Sequence, residues 1–513
     1  MSSIVRLYIA LIFLVPLHFA IAQDAELDAL IHLEEDYDIS DEEFSDKSEK
    51  EEKPKQKQKK IRNKKIERSS PRKSKIEFED FSKASNSQEF SWERTPRGSD
   101  FFGASSGFDI EPGKLAGEVQ LEGRAFEKVD QRSITADKSA AVFVRAEMPF
   151  ESKSGIWGAK AKGYGRVDAL DEGRNGFFPE DLWIAYNMDF FQATFGFQTF
   201  SWTQMDIFSP GELLNSVNFD SEVENLEKIG ELALNVKMKL AFGFLEVSYM
   251  PLVLSPNFPG KKSRFNLLSA GDEMGVPIYV KKDGSIVERK QFNQFAGMFS
   301  RSIGDADVNL FFVDQMDRRT PEIVVQAASG ESRPVFFPIT SFGMNTVYAF
   351  HGTLFKFEAV RRLVTNPAQP TIFGDLRKQS HTVAALGAER EVDLFWTHTT
   401  LFFEYQKVFQ VSEGSTLIDR QKISLFQNDL AFGLKMSFND AQSREIRMLV
   451  DLDMDRQEQI LGSISYKQRV GESWQVHGGY RYIHAPQADE RIAIGLERFD
   501  KDNYGFIQLT RFF

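Results

Sequence analysis

Glu231-Leu232-Ala233-Leu234-Asn235-Val236-Lys237-Met238-Lys239-Leu240 is the stretch that decides the fold. Leu232, Leu234, Val236, Met238 and Leu240 take every second position, with Glu231, Asn235, Lys237 and Lys239 between them. Successive side chains of a strand point to opposite faces, so this stretch has one apolar face and one charged face. Phe426 to Phe438, Ile446 to Met454 and Trp474 to Tyr482 repeat the pattern. About nineteen such segments, near ten residues each, run between 113 and 513.

A soluble sandwich also alternates apolar and polar residues. Three features favour a transmembrane barrel instead. The segments match the roughly 9–11 residues with which a tilted strand crosses a bilayer. Their polar faces are ionic, as a wet lumen allows: Lys160, Lys162, Tyr164 and Arg166 on one strand; Glu231, Asn235, Lys237 and Lys239 on another; Glu404, Arg447, Asp451 and Asp453 further on. The gaps alternate in length, with short turns at Asn187-Met188-Asp189, Ile303-Gly304-Asp305 and His351-Gly352 and long loops at 168–180, 201–228, 251–289, 314–337, 365–380 and 409–424. Closure satisfies every strand edge, which lipid cannot do. Two periplasmic termini require an even strand number. The expectation is an all-β, antiparallel transmembrane barrel over 101–513 with 18 strands, 16 and 20 being the neighbouring solutions, and His381 to Ala388 is the weakest segment.

Composition agrees. The 513 residues include 48 Phe against 6 Trp and 12 Tyr, most of the Phe placed singly between polar residues. The absence of cysteine excludes disulfide frameworks, thiol nucleophiles and thiolate metal sites. A net charge of -12, with no long basic stripe in the folded part, gives no reason to expect nucleic acid.

Residues 1–22 read as a secretory signal: Arg6, the apolar run Leu7 to Phe19, then Ala20-Ile21-Ala22 before Gln23. Residues 23–100 read as a disordered periplasmic tail of segregated charge. Residues 24–52 hold 14 Asp and Glu against Lys47 and Lys50, whereas 53–75 hold 12 Lys and Arg against Glu67. Such a tail suits a tether for an anionic polymer or a periplasmic partner, or a solvated spacer.

Asn503-Tyr504-Gly505-Phe506-Ile507-Gln508-Leu509-Thr510-Arg511-Phe512-Phe513 alternates and stops at Phe. It resembles the C-terminal strand that outer-membrane barrels show to their assembly machinery, with Arg511 where an apolar residue is commoner. With the signal and the loop asymmetry, this sets the expected location in the outer membrane of a Gram-negative bacterium, with outer-membrane lipid and the barrel assembly machinery as partners.

Gly196-Phe197-Gln198, Trp202, Asp206, Phe208, Pro210, Glu212, Leu214 and Asn215, followed by Met250-Pro251, Pro256 and Pro259, carry a narrower likeness. They are similar to a poorly characterised family of Gram-negative outer-membrane barrels often encoded beside RND-type exporters. The match covers about 80 residues. It departs at Thr203, where Gly is usual, and at Ser216, where Pro is usual. The resemblance implies movement of hydrophobic or lipid-like molecules with an inner-membrane pump.

Enzyme signatures fall away. Gly103-Ala104-Ser105-Ser106-Gly107 lacks the helix that a nucleophile elbow needs after it. Asp451, Asp453 and Asp455 imitate a calcium loop, but Arg456 and Gly462 stand where the turn glycine and the bidentate Glu belong. No histidine pair has metal spacing, His398 reads as a lumen polar group, and no cofactor is implied. The expected function is therefore porin-like transport of small or hydrophobic solutes. The alternative is a structural or surface-binding protein tethered through its tail. After the fifth strand, Phe191 to Phe200, the loop 201–228 carries a helix start at Ser209 and Pro210 and an apolar face of Leu213, Leu214 and Val217. Folded into the lumen, it would place Trp202, Asp206, Glu212, Asn215 and Asp220 at a constriction; the other reading is a surface cap.

Overall fold

A computed structural model describes residues 110–128, 135–222, 225–266, 268, 272–325, 330–394, 397–412, 423–456, 458–486 and 495–513. The signal, the charged tail and the Gly103–Gly107 motif lie outside the described residues.

The alternating segments form an antiparallel wall of 18 strands closed on itself. The wall opens with β1 (Ala116–Phe126), β2 (Lys138–Ser152), β3 (Trp157–Asp168), β4 (Gly176–Asn187), β5 (Phe191–Gln198) and β6 (Glu231–Leu240). It continues through β7 (Gly243–Leu252), β8 (Gln291–Ile303), β9 (Ala306–Met316), β10 (Pro338–Phe350), β11 (Thr353–Val364) and β12 (His381–Leu394). The last strands are β13 (Thr397–Phe409), β14 (Asn428–Ser437), β15 (Glu445–Asp453), β16 (Ile460–Val470), β17 (Trp474–His484) and β18 (Tyr504–Phe512). β18 pairs with β1, with Leu509 opposite Leu121, and so closes the ring. A short strand, Ile110–Pro112, extends the edge of β2.

The two faces of each strand divide by chemistry. Phe195, Leu234, Phe342, Phe432 and Val450 point outward and are 42–53% exposed. Glu231, Asn235, Glu358, Glu404 and Asp451 point inward and are buried. Turns at one end are tight. His351 and Gly352 both have positive φ, 48° and 77°, the conformation that matches a two-residue hairpin to the twist of its strands. The other end carries the long connections. Two of these, 253–290 and 317–337, build a four-stranded sheet from Ile286–Val287, Ile278–Val280, Ser332–Phe336 and Glu322–Val325.

Several details differ from the sequence reading. His381 to Ala388, the weakest segment, is the first part of a full 14-residue strand. Its small residues hide the alternation, and a β-carbon at Gly387 would sit 3.3 Å from Met205 Cε, so small size there admits an inserted loop. Ser209 starts no helix. Its carbonyl accepts from Glu212 N in an isolated turn, and the neighbouring amides bond to wall carboxylates instead of carbonyls one turn back. Arg511 faces outward and lies over the Trp474 ring at 5.6 Å, a cation–π contact that accounts for a charge at that position. A bulge in β4 lets two residues of that strand oppose one of β3, and Glu180 and Asp181 are both buried.

Candidate functional site

The lumen has two tiers. Toward the tight turns, inward side chains such as Lys239, Arg447 and His398 are exposed to water. Toward the long connections, inward side chains are covered by chain that enters the barrel.

Residues 199–216 leave β5 and lie against the inner wall formed by β6 to β15. The Trp202 ring lies 5.7 Å from that of Phe311 on β9, and its carbonyl accepts from Asn345 Nδ2 on β10. Trp202, Leu213 and Leu214 pack with Ala233, Met250, Ala296, Val313 and Val360, which face them from the wall. Met205 and Phe208 pack with Ala385, Phe402, Ala431 and Leu449. Burying these side chains holds the segment off bulk water, at roughly 25 cal/mol per Å² of apolar surface.

Two wall carboxylates engage the backbone of this segment. Glu404 on β13 accepts from the amides of Asp206, Ile207 and Phe208 at 2.6, 3.0 and 2.9 Å. Glu358 on β11 accepts from Thr203 Oγ1 at 2.8 Å, from the Gln204 amide at 3.2 Å and from the Gly211 amide. The segment has no regular structure here, so these carboxylates replace the partners that a helix would supply.

The five loop residues expected at a constriction divide into two kinds. Asp206 pairs with Lys356, and its side chain remains 42% exposed to the lumen. The other four are buried. Asn215 accepts from the Phe200 amide at 2.7 Å and donates to the carbonyls of Gln198 and Ile229 at 3.2 and 2.9 Å, which ties the two ends of the loop together. Glu212 pairs with Lys228 at 2.7 Å. Asp220 accepts from Ser263 Oγ at 2.9 Å.

The inward wall residues are paired as well. Lys160 reaches Glu147 and Asp181, Lys162 reaches Glu180, and Lys237 reaches Glu246, at 3.2–3.7 Å. Arg166 bridges Glu122 at 2.9 Å and Glu227 of the loop hairpin at 2.7 Å. Glu231 holds Arg318 at 3.2 Å and accepts from the Ser216 amide at 2.9 Å. Arg447 lies over the Phe402 ring, Asp451 is buried opposite Ala431 of β14, and Asp453 accepts from Gln427 at 2.9 Å.

A second crossing braces the first. Asn257 donates its amide to the Val217 carbonyl at 3.0 Å and accepts from the Phe219 amide at 2.9 Å. Phe265 then reaches the far rim, against Phe126, Phe499 and Tyr504, while Arg264 pairs with Asp137 and with Asp502 at 3.2 Å. In the loops, burial and the nearby Asp220 push the Asp171 carboxyl up to about 6, and burial pushes Asp220 up as well. Burial would also raise Asp317, but Lys378 at 2.6 Å and Arg362 hold it well below the usual carboxylate range.

Alternation marks Lys356 and Glu358 as inward residues of β11, yet their loop partners, about 150 positions away, leave no trace in the sequence. His398 Nδ1 stands 2.8 Å from Asp393 Oδ1, and Ser437 is the register partner of His398 on β14. Ser437 is the last residue of β14 and is also the register partner of Glu445 on β15.

No protein-family model matches the chain, and no curated protein matches it. Solved structures do. A triple mutant of the Rhodopseudomonas blastica porin covers 79% of this chain over 100% of its own, at 12% identity and a TM-score of 0.36. OmpT, an outer membrane protein of Vibrio cholerae, covers 79% over 99% of its own length, at 9% identity and a TM-score of 0.38.

Proposed function

We propose that this chain is a porin-like channel in the outer membrane of a Gram-negative bacterium, passing small or hydrophobic solutes beside the inserted loop. One observation carries the reading: a single closed wall is apolar outward and ionic inward. Such a wall satisfies its own backbone in lipid and keeps water and charge on the inside. The loop narrows the lumen, and Asp206 supplies its water-facing charge. Mixed signs around it argue against a strong preference for one ion class.

The full-length chain, reconstituted into planar bilayers, should give discrete conductance steps. A heat-resistant, folded barrel that gives none would overturn the channel reading. The resemblance around 180–260 extends the proposal to hydrophobic cargo moved with an RND-type exporter. The C-terminal strand is the proposed signal to the assembly machinery, and residues 24–100 are the proposed contact for a periplasmic partner or anionic polymer.

The four-stranded sheet built from long connections favours a second reading, a surface-binding protein. Retrieval of a specific envelope partner by residues 24–100, together with absent conductance, would select it.

A further inference from the structure

Beside the inserted loop, on its tight-turn side, β5 to β8 leave a lumenal cavity of about 270 Å³ lined by six inward residues, Gln192, Lys237, Phe244, Glu246, Met298 and Ser300, and by their chain neighbours Met238 and Leu245. These six share the inward face. Gln192 pairs across strands with Lys237, Lys237 with Glu246, Glu246 with Met298, and Phe244 with Ser300. Met298 also packs against the cluster formed by Trp202, Leu213 and Leu214, so the cavity abuts the loop itself.

The chemistry of the lining is uneven. Phe244 and Met298 give it an apolar body. Glu246 has both oxygens engaged: one accepts from Asn235 Nδ2 at 2.6 Å and the other lies 3.7 Å from Lys237 Nζ. Its side chain is 11% exposed, whereas that of Lys237 is 41% exposed. An ammonium has three donors, so Lys237 keeps donors for the cavity after meeting Glu246. The Ser300 hydroxyl stands on the adjacent strand, opposite Phe244. The exposed charge of the lining is therefore that of Lys237, and the wall beside it is apolar. The volume lies just under the roughly 300–1,000 Å³ of ordinary ligand pockets, which fits a small solute.

We propose that this cavity is a binding subsite for small monoanions with an apolar body, namely aromatic or short aliphatic carboxylates, held beside the loop on their way through the lumen. The subsite deepens the channel reading and rests on it for its role in passage. The carboxylate meets Lys237 and Ser300, and the apolar body lies on Phe244 and Met298.

Benzoate is the probe. Added to the full-length chain in planar bilayers, it should interrupt the current at least tenfold more strongly than acetate, which lacks the body, benzyl alcohol, which lacks the charge, or benzylammonium, which reverses it. Lys237→Gln and Met298→Gln should each weaken the block at least tenfold, Lys237→Arg should restore it, and Lys435→Gln on β14 should leave it unchanged. Heat-resistant migration checks that each variant is folded. Equal block by benzylammonium, or block that survives both variants, would overturn the subsite. Calorimetric titration of benzoate into the detergent-solubilised chain separates the two readings. Lys237-dependent binding without conductance supports the subsite and overturns the channel; conductance without benzoate binding overturns the subsite alone.

Discussion

Gly117 and Phe513 exchange both of their backbone hydrogen bonds, each at 3.0 Å, where β18 closes on β1. A β-carbon on Gly117 would lie 2.6 Å from the Arg145 carbonyl oxygen and 2.6 Å from Phe513 Cζ. The seam therefore depends on a residue without a side chain.

Gly117→Val should destabilise the closed barrel by about 1–3 kcal/mol through overpacking. The measurement is the temperature at which the heat-resistant band disappears. Gly123→Ala on the same strand is the control, since its β-carbon would meet only Ile507 Cγ2, at an ordinary 3.5 Å. Equal losses at both positions would contradict the close packing of the seam.

Glu404→Ala should free the loop more than Glu404→Gln. Alanine leaves the amides of Asp206, Ile207 and Phe208 without their acceptor, at about 1–3 kcal/mol for each buried group left unsatisfied. Glutamine keeps one carbonyl oxygen in place. Hydrogen exchange at residues 206–208 should accelerate in the order wild type, Gln, Ala. Unchanged exchange in the alanine variant would remove Glu404 as an anchor.

Deleting 205–222 should enlarge single-channel conductance while heat-resistant migration persists, because the strands keep their ladder partners without the loop. Unchanged conductance in a folded deletion would show that the loop does not set the width.

Val450→Arg should cost about 2–4 kcal/mol near the bilayer midplane, and Asp451→Asn much less. Val450 is 42% exposed on the outer face, while Asp451 is buried on the inner one. Similar losses in a lipid-based unfolding assay would mean that the faces are exchanged.

Asp171 gives a pH dependence outside the wall. Burial and Asp220 raise its carboxyl from 3.8 to about 6, so folding favours the protonated form. That stabilisation is fully present below about pH 3.8 and is lost as pH rises through about 6. Protection of the paired strands Val217–Glu222 and Asn225–Lys228 from exchange should fall across this window, and Asp171→Asn should flatten the change.

Alternation locates the wall strands because lipid and water act on opposite faces of each one, and a period of two survives in the residues themselves. It fades where packing asks for small side chains, as at Ala384, Ala385 and Gly387, and the strand there is correspondingly faint. Inward faces are legible residue by residue, so Lys237, Glu404 and Asp451 could be named. Their partners could not. Ser209 and Pro210 carry the local signs of a helix start, but Glu358 and Glu404 compete for the same amides from strands roughly 150–200 residues away, and that tertiary offer wins. The bulge at Glu180 is likewise invisible, since it arises from the register of two strands rather than from the composition of either.

The bonds from Asn257 to Val217 and Phe219 join one loop to the other, not either loop to the strands beneath. Their separation would uncouple the two loops without freeing either, since Glu358 and Glu404 still hold the first to the wall and Arg264 still holds the second to the rim while the ring of strands stays closed.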